Sequence, residues 1–267
     1  MLANYEIQSK IKEQIQSEIS QLANEKKIRV LYACESGSRA WGFASPDSDY
    51  DVRIIYLHAT EWYLSVLPKD ENFDIFADND LDINGWDIRK VLRLMLKSNA
   101  TPYEWMQSPI GYVLDEEFKA SLWSLGQHYF QPRSIMHHYL GLAQNAFRKG
   151  IVTEFEINIK KYFYVLRPLF AAMWVAEKGT VPPMTFADLM PVLDPFPAIK
   201  QLVTDLWRQK LNAAEGDTVT IIPQLLDFID TQIERCFSIA DATELKPTNP
   251  DMLDAFFRTI VKTYNHR

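Results

Sequence analysis

Ten residues separate the Gly37-Ser38 pair from Asp49, and Tyr50 alone separates Asp49 from a second carboxylate, Asp51. A glycine and a serine carry so little side chain that their backbone N–H groups can come close to an anion. Two carboxylates held together repel unless a cation or a proton lies between them. Hard oxygen donors of this kind suit Mg²⁺, which takes one or two protein carboxylates and fills its shell with water and substrate phosphates. An anion cradle beside such a metal site is suited to holding a triphosphate for attack.

The flanking residues predict how these groups are positioned. Residues 28–33 (IRVLYA) and 52–57 (VRIIYL) are compact β-branched and apolar runs, so the Gly37-Ser38 turn leaves one predicted strand and the Asp pair enters the next. Side chains two apart on a strand share a face, which would put Asp49 and Asp51 together and Tyr50 opposite. Ahead of this core, Ile7, Ile11, Ile15, Ile19 and Leu22 recur at helical spacing and predict a helix packed on the sheet. Ile88, Val91, Leu92, Met95 and Leu96 predict a second helix covering a face of that sheet.

Glu35-Ser36-Gly37-Ser38-Arg39-Ala40-Trp41-Gly42, then Ser48-Asp49-Tyr50-Asp51-Val52-Arg53, resembles the nucleotidyltransferase superfamily related to DNA polymerase β, and within it the RlaP or YcgL-like branch. Residues 80–90 (DLDINGWDIRK), Asn99, Glu104-Trp105 and Ser108-Pro109 are similar to the same branch. The resemblance is strongest between residues 32 and 112 and thereafter rests on helical text such as residues 160–169. It implies an α/β (α+β) core with a mixed sheet flanked by helices, and a third carboxylate on a later strand. Asp82, between Leu81 and Ile83, is the choice for that role, with Asn84-Gly85 expected to end its strand. Asp74, between Phe73 and Ile75, is an equally strand-like competitor, and only the resemblance favours Asp82. The implied chemistry uses two Mg²⁺ ions, with Mn²⁺ as a substitute, on Asp49, Asp51 and Asp82. Gly37 and Ser38 would anchor the β and γ phosphates, and Arg39 and Ser48 flank the nucleotide. NMP would pass from an NTP to a hydroxyl on an RNA end, a small molecule or a protein; the branch name reflects an association with RNA repair.

Other charged residues have two readings each. Arg39 and Arg53 contact phosphate or pair with the acidic cluster, and Arg53, inside an apolar strand, is expected to orient an aspartate. Asp87 opens the helix after Asp82, where a capping role competes with an electrostatic one. Lys90, three residues on, either reaches the triphosphate or lies in solvent. Lys160, Tyr164 and Arg167 fall on one side of a helix, where they would meet the base and phosphates of a nucleotide, although the aromatic residues around them suit a core better than a stacking platform.

The 267 residues suffice for a substantial core and predict two domains, residues 1–112 as the catalytic core and 113–267 as an all-α domain. Helices are expected near 116–128, 133–149, 154–178, 195–213, 218–239 and 250–263. A net charge of −7 argues against extended coating of nucleic acid, yet permits the grip of a single RNA end. Cys34 and Cys236, far apart and without CxxC spacing, suit packing in a reducing cytoplasm rather than a disulfide or zinc site. No apolar run is long enough to span a bilayer, and a cytoplasmic protein without membrane partners is expected. A rival reading keeps the fold without turnover, as a nucleotide- or protein-binding regulatory module.

Overall fold

The computed structural model describes residues 7–77, 80–150, 153, 155–214 and 216–265. The first half of the chain runs α1 (Ser9–Lys26), β1 (Ile28–Glu35), α2 (Gly37–Trp41), β2 (Tyr50–His58), α3 (Thr60–Tyr63), β3 (Asn72–Ala77), β4 (Leu81–Asp87), α4 (Ile88–Leu96), α5 (Ala100–Met106) and β5 (Gly111–Leu114). There follow α6 (Glu116–Tyr129), α7 (Pro132–Gly150), β6 (Glu156–Asn158), α8 (Ile159–Lys178), α9 (Phe186–Leu189), α10 (Pro197–Lys210), β7 (Thr218–Thr220), α11 (Pro223–Ala242) and α12 (Asp251–Asn265).

Five strands form one mixed sheet in the order β3-β4-β2-β1-β5. β2 and β4 pair in parallel and the other neighbours are antiparallel. Alternation gives the sheet two chemically different faces. Val52, Ile54 and Tyr56 of β2 and Leu81 and Ile83 of β4 pack with Ile15 and Ile19 of α1, with Ile7, Ile11 and Leu22 at the margin, as the helical spacing predicts. On the other face, Asp51 and Arg53 of β2 give way to the buried Ile55 and Leu57. The apolar stripe of α4, Ile88, Val91, Leu92 and Met95, is buried as expected.

Two expectations about strands change. β4 does not stop at Asn84-Gly85 but continues to Asp87, because Phe73 of β3 pairs with Gly85 and its ring lies where a Cβ would stand, within 2.2 Å. Gly85 thus admits a cross-strand ring rather than breaking the strand. The second half is not helical throughout, since β6 and β7 form a two-stranded antiparallel sheet. Both flank helices: Asn158 ends β6 and caps α8 by accepting from the Lys161 N–H, and the expected helix start at 154 lies outside the described residues.

The chain forms two compact units that a single boundary after residue 112 does not separate. Among the described residues, the sheet unit comprises residues 7–40, those within Asp49–Tyr129, and residues 247–265. The helical unit comprises Trp41–Ser48 and Phe130–Lys246. α12 joins the sheet unit through Tyr264, whose hydroxyl donates to Asp115, and through Phe257, whose ring meets Tyr63 edge-on at 5.0 Å. Among the described residues no helix is long and apolar enough to cross a membrane. Cys34 and Cys236 are both free and buried.

Candidate active site

Asp51 and Asp82 are cross-strand partners in the parallel β2–β4 ladder, so the pairing places two carboxylates side by side at the polar end of the sheet. One guanidinium nitrogen of Arg53 bridges them, 2.6 Å from Asp51 Oδ1 and 2.9 Å from Asp82 Oδ2. Its Nη1 donates to the carbonyls of Val52 and Asp82 at 3.1 and 3.2 Å. Two like charges thus share one cation, as their proximity demands. Arg53 orients both carboxylates, which is the role its place in an apolar strand predicts.

Gly37 closes the site from the side of β1. Its φ is +56°, and a Cβ there would lie 1.8 Å from Asp51 Oδ2, so the backbone can rest against the carboxylate only as glycine. The preceding Ser36 N–H donates to the Asp51 carbonyl at 2.8 Å, tying the turn to β2. Glu35, the last residue of β1, has no exposure at all. Its carboxylate accepts from the Asp51 N–H at 2.8 Å and from the Tyr112 hydroxyl. Burial lifts its pKa to about 7, against the pull of those two hydrogen bonds. Glu35 is a positioning residue that site-by-site reading of the sequence missed. Its signal was a carboxylate ending an otherwise apolar strand.

Asp49 sits one residue before β2 and is exposed, so strand alternation does not apply to it as expected. Arg39 donates to its carbonyl at 3.0 Å and lies over the Tyr50 ring at 3.9 Å. Among the described residues no group of three or more His, Cys, Asp or Glu side chains is arranged to hold a metal ion. Strand pairing brings Asp51 and Asp82 together, and a carboxylate pair is a donor set of the kind Mg²⁺ accepts. Asp74 faces the same side two positions along, taking a hydrogen bond from Asn84 Nδ2. Asn84 Oδ1, buried and without a hydrogen-bond partner, adds another oxygen to this face.

A family model described as RlaP, an RNA repair pathway DNA polymerase beta family, matches residues 11–259. The chain belongs to the RlaP family. Its sequence is 38% identical over 253 residues to the uncharacterized protein YcgL of Bacillus subtilis (strain 168), covering 95% of this chain and 96% of that one. The crystal structure of a nucleotidyltransferase-like protein from Exiguobacterium sibiricum 255-15 aligns at a TM-score of 0.33 and 12% identity, over 85% of this chain and 74% of that chain, a likeness too distant to bear on the site.

The remaining nucleotide candidates of this RlaP chain divide between the two units. Lys90 is not at the Asp82 end of β4. Five strand steps, about 17 Å, separate Asp82 from Asp87, and Lys90 lies beyond Asp87 on α4, donating to Asn72 at 3.1 Å over the Trp86 ring. Burial lowers its pKa while Asp74 opposes the shift. Asp87 itself caps α4, accepting from the Arg89 N–H at 2.8 Å and from the Tyr63 hydroxyl at 2.7 Å. In the helical unit Ser48 is buried, its hydroxyl accepting from the Ser45 N–H at 3.0 Å. Arg167 is 2% exposed, with Nε and Nη2 both donating to the Met184 carbonyl and the guanidinium 4.8 Å from the Trp41 ring. That guanidinium is spent inside the unit's core instead of being offered to a phosphate. Tyr164 meets Trp41 edge-on at 5.3 Å, and Lys160 is half-buried one turn before it.

Proposed function

We propose that this chain is a Mg²⁺-dependent nucleotidyltransferase that moves NMP from an NTP to a hydroxyl acceptor and releases pyrophosphate. Family membership supports nucleotidyl transfer in general. The observation that carries the finer reading is the Asp51–Asp82 pair, converging on one cationic group beside a glycine that only a bare backbone could fill. Asp51 and Asp82 would hold the ion, with Asp49 as the expected further donor. Bound there, the ion supplies charge for the triphosphate and lowers the pKa of the acceptor hydroxyl. The chain's own residues do the positioning. Gly37 and Ser38 offer backbone N–H groups to the phosphates, Arg53 aligns the two carboxylates, and Glu35 fixes the Asp51 backbone. The acceptor oxygen bonds to the α phosphorus as the bond to pyrophosphate breaks, the electron pair leaving with pyrophosphate and the hydroxyl proton passing to water. Positioning and electrostatics account for most of the rate in such chemistry.

The family description supports an RNA end among the candidate acceptors. A second reading, a nucleotide- or protein-binding module without turnover, is favoured by one observation: the Arg53 guanidinium already bridges the two paired carboxylates and offsets one of their two charges. Incubation with labelled NTPs and Mg²⁺ over RNA, small-molecule and protein acceptors separates the two. Label transfer that disappears in the Asp49→Ala plus Asp51→Ala protein is expected. Saturable NTP binding with no transfer to any acceptor would instead establish the binder.

A further inference from the structure

Phe76 is 82% exposed on β3, an edge strand of the five-stranded sheet. A single exposed phenylalanine is ordinary on a protein surface. Its register is what sets this one apart. Phe73 and Ile75 pack toward the core, so Phe76 points with Asp74 to the opposite face. Phe76 is the cross-strand partner of Asp82, and Asp82 is the cross-strand partner of Asp51. Gly37 abuts the far side of the Asp51 carboxylate. The four residues therefore stand in one row across the sheet, Phe76, Asp82, Asp51, Gly37, with neighbouring strands on the order of 5 Å apart.

Nucleotidyl transfer gives that row a direction. The attacking and leaving oxygens lie roughly in line on opposite sides of the phosphorus. With the triphosphate cradled at Gly37 and Ser38, the acceptor must arrive from the Asp82 side, over the edge formed by β3. The first side chain it meets beyond Asp82 is a bare aromatic ring. The geometry points to Phe76 as the acceptor-side platform, on which the terminal base of a single-stranded RNA stacks while its ribose hydroxyl faces Asp82. The inference rests on the proposed placement of the triphosphate and deepens it by naming the acceptor as a strand that ends in a nucleobase. Aromatic faces stack bases of every kind, so the platform selects for a planar ring rather than for one sequence. Asp74 and Asp82 beside it repel backbone phosphates, which favours engagement of the last nucleotide over a longer tract.

The test uses the full chain and a single-stranded oligoribonucleotide carrying 2-aminopurine at its 3′ end, whose fluorescence is quenched by stacking. The wild-type protein is expected to quench it saturably. Phe76→Ala should weaken binding roughly tenfold to a hundredfold and abolish the quench, whereas Phe76→Trp should retain both. An oligonucleotide with an abasic 3′ end should bind wild type and Phe76→Ala equally. Binding of a fluorescent NTP analogue should stay within about twofold in all three proteins, as should their melting temperatures, since an exposed side chain is being changed. The inference is overturned if wild type shows no saturable quench, if Phe76→Ala quenches like wild type, or if the abasic end binds as well as the base-ended one. Base stacking without transfer to any acceptor would sink the proposed activity and leave the platform standing. Transfer to RNA with an acceptor KM unchanged in Phe76→Ala would do the reverse.

Discussion

Arg53 concentrates the electrostatics of the site in one side chain. Its head group and the two carboxylates it bridges are largely withdrawn from solvent, so removing the cation leaves two like charges facing each other. Arg53→Met is expected to lose about 2 kcal/mol of stability, less than a fully buried pair would because all three groups keep some exposure. The loss should be rescued in a way that an ordinary packing defect would not show. Added Mg²⁺ should raise the melting temperature of Arg53→Met more than that of wild type, since a divalent ion can take the place of the guanidinium. Thermal melts with and without Mg²⁺ give the comparison, and equal Mg²⁺ shifts in both proteins would refute it. Asp51 and Asp82 were both legible in the sequence as candidate carboxylates. Their partnership was not, because it depends on which strands pair and in what register.

The corner where β2 and β4 end is built from residues that titrate in opposite senses. His58 closes β2 and stacks on Trp62 of α3 at 4.0 Å. Burial, with Lys69 and Arg89 nearby, depresses its pKa from 6.5 to about 4. The unfolded chain therefore binds more protons, and the stability His58 contributes is present above pH 6.5 and lost as pH falls through about 4. Asp87 closes β4, and burial raises its pKa from 3.8 to about 6 despite the hydrogen bonds from Tyr63 and Arg89. Its contribution is full below about 3.8 and lost as pH rises through about 6. The two slopes oppose each other between about pH 4 and 6, which predicts a shallow profile in the wild type. Asp87→Asn keeps a capping side chain and should unmask the histidine, with stability rising by about 1 kcal/mol across that window. His58→Phe keeps the ring stack and should unmask the aspartate, with stability falling. Urea midpoints from pH 4 to 7 measure both slopes, and parallel profiles in the two variants would disprove the assignment. The sequence predicted Asp87 at a helix start, but the tyrosine that buries it comes from α3, a single turn too short to leave a periodic signal.

On the scale of the whole molecule, the last helix is the most informative segment. α12 follows the helical half in sequence and belongs to the sheet unit in space. Phe257 meets Tyr63, the Tyr264 hydroxyl donates to Asp115, and Arg29 donates to the Tyr264 carbonyl at 3.3 Å. A chain ending at Lys246 is therefore expected to lose amide protection in β1, α4 and α6 while α7 and α8 stay protected, a pattern hydrogen exchange resolves. Loss confined to the helical unit would refute the grouping. The segment Trp41–Ser48 makes the complementary excursion. It lies between the two halves of the motif, yet it packs in the helical unit, where Lys210, 2% exposed, donates to Ser45 Oγ at 2.9 Å and Trp207 Nε1 donates to the Gly42 carbonyl at 3.3 Å.

The sequence by itself determined β1 and β2 from β-branched runs, α1 and α4 from helical spacing, the turn that requires glycine, and the family through its ordered motifs. All of these are local patterns, set by steric limits and by periods of two or 3.6 residues within one segment. Tertiary structure alone decided that Asp82 lies beside Asp51, that Lys90 stands on α4 beyond the far end of β4, that Arg167 is consumed in a core, and that Phe76 flanks the acidic pair. Those outcomes depend on pairing between segments up to about a hundred residues apart, where one step of register moves a side chain to the opposite face and one choice of neighbour changes which charge it meets.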